Sequence, residues 1–198
     1  MIALWSEVRA LTSKRTSLFR LLRWNRKGTV LVEMAVVTPL LLILLLGAVE
    51  FARYVLIMQK LDRAAMSVGD LVSRGAQVTP QDLVNIFDSV EHLMQPFSFP
   101  QEGVVLISAV TRVADTPPEV VWQQIGAGDL VRASRVGLPG DEAVLPQNLQ
   151  PRENESLYVA EVYYSYAPLI FDRFVQQSTL YHWSVFRARL SDQVITIN

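Results

Sequence analysis

Little in this chain is equipped for catalysis. Its 198 residues include two histidines and no cysteine, which excludes a thiol nucleophile, a cysteine metal site and a disulfide scaffold. His92 and His182 lack metal-ligand spacing such as His-x-x-x-His and read as structural or surface residues. Gly126-Ala127-Gly128 is too short for a phosphate-binding loop and reads as a turn. Asn154-Glu155-Ser156 matches a glycosylation sequon that nothing else supports. Tyr158, Tyr163, Tyr164 and Tyr166, with Trp183, offer either a carbohydrate-stacking platform or, as the preferred reading, core and cross-strand packing. The expectation is a protein that is not an enzyme and has neither a cofactor nor a metal site.

Glu33 has the sharpest chemistry. From Thr29 to Val49 it is the only charge in 21 residues, a run that spans roughly 30 Å as a helix and matches a bilayer's hydrocarbon core. An unpaired carboxylate in lipid is costly or takes up a proton, so intramembrane acids usually face something specific. In one reading the segment is a plain anchor, with Glu33 close enough to the basic interface to be solvated. In the other it is a processing site of the prepilin type. The basic residues Arg23, Arg26 and Lys27 lead to Gly28, and a peptidase cuts between Gly28 and Thr29 on the cytoplasmic side. Glu33, about one helical turn in, then pairs with the new Thr29 amine of a neighbouring subunit.

The residues that follow carry a resemblance. Glu33-Met34-Ala35-Val36-Val37-Thr38-Pro39-Leu40-Leu41-Leu42, and then Gly47-Ala48-Val49-Glu50-Phe51-Ala52-Arg53, resemble the TadE/TadG-like family. The likeness is close from Arg26 to about Arg74, including Ala64-Ala65, and looser from Glu155 to Arg189. Met34 stands where the family commonly has an aromatic residue. The resemblance implies a pseudopilin of the tight-adherence (Flp, type IVb) pilus systems of bacteria. Its implied partners are other pilin-like subunits, the inner-membrane assembly platform and a prepilin peptidase.

Charge supports a membrane topology. Residues 1–28 hold seven basic residues and one acid, whereas the remainder holds 11 basic and 18 acidic residues. This asymmetry predicts a single crossing, with the N-terminus cytoplasmic and everything after the helix in the periplasm. The basic cluster flanks a membrane span, which argues for lipid headgroups and against nucleic acid. Ordinary signal-peptidase cleavage near Leu46-Gly47-Ala48 is disfavoured, because the apolar run exceeds a signal core and the helical pattern continues past it.

Beyond Glu50, the apolar positions Ile57, Leu61, Ala64, Ala65, Val68, Leu71 and Val72 recur at helical spacing, until Gly75 supplies a stop. Pro39 interrupts the span and is expected to bend it by removing one backbone hydrogen bond. The small residues Gly47, Ala48 and Ala52 would admit another helix closely. Thr79-Pro80-Gln81-Asp82 caps a second helix with an apolar stripe of Leu83, Ile86, Phe87, Val90, Leu93 and Met94, ended by Pro96. The period then changes to two, with strands expected over 104–113, 120–125, 157–167 and 181–189, and a short last one over 194–197. Residues 126–151 read as a long loop or loose hairpin.

The predicted class is α+β: a long transmembrane helix extending into a small soluble domain with a second helix and an antiparallel sheet, pilin-like in plan. Its expected parts are a basic leader (1–28), a transmembrane and amphipathic helix (29–75) and a periplasmic domain (76–198). Two function classes follow: a processed minor pseudopilin assembling through its helix, and an uncleaved anchored periplasmic binding or adhesion module.

Overall fold

A computed structural model of the protein describes residues 26–75, 78–173 and 176–189. The leader before Arg26 and the strand expected over 194–197 lie outside the described residues. The chain divides into two compact units, with the break between Val49 and Glu50.

The described part of the first unit is helical. Helix α1 runs from Arg26 to Arg74 and passes through Pro39 as one element. Proline in a helix interior forfeits one ladder hydrogen bond, but the flanking apolar residues are strong helix formers. The side chains of this unit from Gly28 to Val49 are exposed, apart from half-buried Gly47. No described part of the chain covers this apolar surface. It is long and apolar enough to cross a membrane.

In the second unit, the rest of α1 behaves as an amphipathic helix. Ile57, Leu61, Ala64, Ala65, Val68 and Val72 are fully buried, as the spacing predicts. Leu71 is an exception at 41% exposure, because it falls at the rim of the stripe. Helix α2 (Pro80–Met94) starts on a complete capping box: Thr79 Oγ1 accepts from the Asp82 amide, and Asp82 Oδ2 accepts from the Thr79 amide. It buries Leu83, Ile86, Val90 and Met94, with Phe87 half-buried and Leu93 again at the rim. A single-turn helix α3 (Phe99–Glu102), which the sequence did not suggest, leads straight into the sheet.

The four strands are β1 (Gly103–Arg112), β2 (Glu119–Gly126), β3 (Glu155–Tyr166) and β4 (Ser178–Arg187). They form one antiparallel sheet in the order β2-β1-β3-β4. On β3, Tyr158, Ala160, Val162, Tyr164 and Tyr166 face the helices, the face expected from the alternation, and share one core with α1 and α2. The opposite face is also covered. Val136, Ala143 and Leu145, from the long β2–β3 connection, pack on Val110, Val120, Leu157 and Val159. The expected loop over 126–151 is therefore a layer of the structure. The tyrosines are divided between the two faces and are buried, with Tyr163 on the side away from the helices. They pack, and they form no flat stacking platform.

Gly69 marks the closest approach of α1 to the sheet. A Cβ there would lie 2.5 Å from Phe186 Cδ2 and 2.6 Å from Ser184 Oγ. That hydroxyl is already committed to the Ala65 carbonyl at 2.6 Å. Gly69→Ala would gain up to ~1 kcal/mol of helix propensity, but overpacking costs about 1–3 kcal/mol. We expect a lower thermal midpoint for Gly69→Ala and a larger drop for Gly69→Val. A raised midpoint in the alanine variant would mean that the Phe186 ring swings aside without cost.

Candidate functional site

Helix α1 carries every predicted site residue. Gly28 and Thr29 lie in its first turns, so the bond between them is helical, and both residues are exposed. The first turn of a helix has unsatisfied amide groups and frays most easily. A protease requiring extended backbone would have to unwind that turn. Gly28 has no neighbouring heavy atom within 4 Å of where a Cβ would stand. Glu33 is exposed among apolar side chains, and among the described residues it has no hydrogen-bond or ion-pair partner. Any partner for its carboxylate must come from elsewhere. Gly47 and Ala48 are not packed on, and Ala52, in the second unit, is exposed as well.

Glu50, the first residue of the second unit, contrasts with Glu33. It is buried to 8% exposure although it directly follows the apolar run. Its Oε1 accepts from the Tyr166 hydroxyl at 2.5 Å, and its Oε2 accepts from the Leu169 and Ile170 amides, both at 3.0 Å. Arg53 Nη1 stands 3.5 Å from Oε1 and also donates to the Ala167 carbonyl at 3.0 Å. The Arg53 guanidinium lies 5.6 Å from the Tyr166 ring centre and 5.9 Å from that of Phe97. Burial, and then the bond to Glu50, push the Tyr166 hydroxyl up to about 12, so it remains a donor. One carboxylate thus clasps the end of β3 and the turn after it to the start of this unit.

A second buried acid, Glu161, sits in mid-sheet on β3 with no exposure. It accepts from Tyr163 and Tyr181 hydroxyls at 3.2 and 3.0 Å, from the Arg135 amide at 3.0 Å, and from Ser134 Oγ. Burial first, and then the Glu161 charge, raise both tyrosines well above the ordinary phenol range. The Arg135 guanidinium lies 4.0 Å from the Tyr181 ring centre. Glu161 itself is enclosed, its partners Ser134, Arg135 and Tyr181 reach toward the surface, and the arrangement fastens the β2–β3 connection to the sheet.

Sequence reasoning assigned no role to Glu50 or Glu161. For Glu161 a signal existed. Leu157 to Tyr166 is apolar or aromatic at nearly every position, the pattern of a strand buried on both faces, so an acid inside it had to be buried too. Glu50 gave little local signal, because apart from Arg53 its partners Tyr166, Leu169 and Ile170 lie at least 116 residues away. His92 is exposed, while His182 Nδ1 lies 3.6 Å from Asp62 Oδ1. Among the described residues no group of three metal-ligating side chains comes together.

One helix long and apolar enough to cross a membrane leads into a small α+β unit, a plan consistent with membrane anchoring. Residues 28–69 match the family model described as TadE-like protein. The resemblance read from Gly28, Glu33 and Pro39 falls within that segment. No curated protein and no solved structure matches the chain.

Proposed function

We propose that this chain is a minor pseudopilin of a tight-adherence pilus system, processed after Gly28 and assembling through α1 to support pilus biogenesis and surface attachment. The observation that carries the reading is where the TadE-like match begins. It starts at Gly28, at the bond a prepilin peptidase would leave as a new terminus, and extends to Gly69. The uncovered side chains of the first unit support assembly, since they offer lipid or neighbouring helices an apolar surface with one unpaired carboxylate. Orientation with the basic leader in the cytoplasm and the second unit in the periplasm follows from the charge asymmetry.

The alternative is an uncleaved anchor bearing a periplasmic binding or adhesion module. It is favoured by the unbroken helix through Gly28. Intact mass of the membrane-extracted protein separates the two, because processing leaves a chain that begins at Thr29. Replacing Gly28 with a bulky residue should then retain the leader. If the wild type and that variant are both full length, differing only by the mass of the substituted side chain, the simple anchor is favoured.

A further inference from the structure

The Glu50 clasp has a neighbour that the core does not absorb. Leu169 is 73% exposed, although its own amide is fixed on Glu50 Oε2. Ile170 is held on the same oxygen, and it and Phe171 are only half-buried. An ordered turn presenting Leu-Ile-Phe needs a reason, since an apolar tip gains nothing in water. Chain connectivity supplies one. Glu50 follows the last residue of the 21-residue apolar run by one peptide bond, and the turn is hydrogen-bonded to Glu50 itself. The surroundings have the matching composition. Phe51 is 67% exposed, Tyr54 packs edge-on against Tyr166 at 5.3 Å, and Arg53 lies beside them. Aromatic rings with a cation among them are the composition of a membrane–water boundary, where each ring has one apolar and one wet side.

We infer that the Leu169-Ile170-Phe171 turn is a second, peripheral membrane contact that inserts at the bilayer interface beside the exit of α1. The occupant of this apolar tip is lipid. Glu50 ties the turn's backbone amides internally, so its side chains enter the interface without carrying unsatisfied amide groups with them. The inference rests on α1 spanning the membrane.

The chain has no cysteine, so one introduced thiol is a unique reporter. Leu169→Cys, Val131→Cys and Leu41→Cys variants of the full chain would carry an environment-sensitive nitrobenzoxadiazole label in vesicles of phosphatidylcholine and phosphatidylglycerol. Leu41 lies in the apolar run, and Val131 is 87% exposed in the β2–β3 connection. The expected result is strong quenching of the Leu169 label by a lipid bearing a doxyl group high on its acyl chain, and of the Leu41 label by one bearing it near the chain end. Iodide quenching at Leu169 should be several-fold weaker than at Val131. If the Leu41 label is lipid-quenched while Leu169 responds to iodide as Val131 does, the anchor stands and the inference falls. Protection from both quenchers at Leu169 would mark a contact between copies and also overturns it. Loss of lipid quenching at Leu41 rejects the membrane span itself, and the inference with it.

Discussion

Glu161→Ala is expected to be among the most destabilising substitutions in the second unit. It removes the acceptor for two tyrosine hydroxyls, one serine hydroxyl and the Arg135 amide, in a position with no exposure to water. Each orphaned buried donor costs about 1–3 kcal/mol, and removing one member of a buried charged network typically costs 3–5 kcal/mol in all. Set against an ordinary domain stability of about 5–15 kcal/mol, that loss is severe. Glu161→Gln keeps the shape and one acceptor oxygen but aims an amide NH2 at groups that are themselves donors, so an intermediate loss is expected. Tyr163→Phe and Tyr181→Phe each give up one bond and should cost roughly 1 kcal/mol. Denaturant unfolding of the detergent-solubilised chain would order the series. The β2–β3 connection should loosen first, seen as faster proteolysis or amide exchange between residues 127 and 145. Wild-type stability in Glu161→Ala would mean that the network holds nothing together.

Glu33→Gln is expected to have the largest effect on assembly while leaving the fold unchanged. The side chain has no partner among the described residues, so its loss breaks no contact of the described chain. As a pure anchor the variant should insert as well as the wild type, or better, and lose nothing else. If the chain assembles as proposed, the carboxylate would meet a cation from outside the chain: the Thr29 amine of an adjacent subunit, or a group on the platform. At low effective dielectric such a pair depends steeply on distance, and losing one member leaves the other unpaired at a cost of about 3–5 kcal/mol. Its main effect would be to set the axial register of one helix against the next. The variant should therefore be inserted and processed at normal levels, yet be defective in surface attachment and in crosslinking to other subunits. Normal piliation by Glu33→Gln at wild-type protein levels would exclude the pairing.

The local elements were legible because their causes are local. The span follows from one charge in 21 residues, α2 from Thr79 and Asp82 three positions apart, and the helix-facing side of β3 from strict alternation at Tyr158, Ala160, Val162, Tyr164 and Tyr166. Rim positions such as Leu71 and Leu93 misled, since periodicity assigns a face but does not say how far the covering layer reaches. The loop expected over 126–151 is a loop, but the same limit hid that its Val136, Ala143 and Leu145 pack on one face of the sheet.

The sequence by itself determined the long apolar helix and the α+β class, and it singled out Gly28 and Glu33 as candidates, because these depend on composition and spacing within a few turns. Only the tertiary structure decided which donors meet the two buried acids, Glu50 and Glu161. Glu50 finds its partners at residues 166, 169 and 170, and Glu161 finds most of its own on the β2–β3 connection and β4. Burial of a charge is tolerable only where donors converge on it, and convergence across more than a hundred residues is a property of the folded chain.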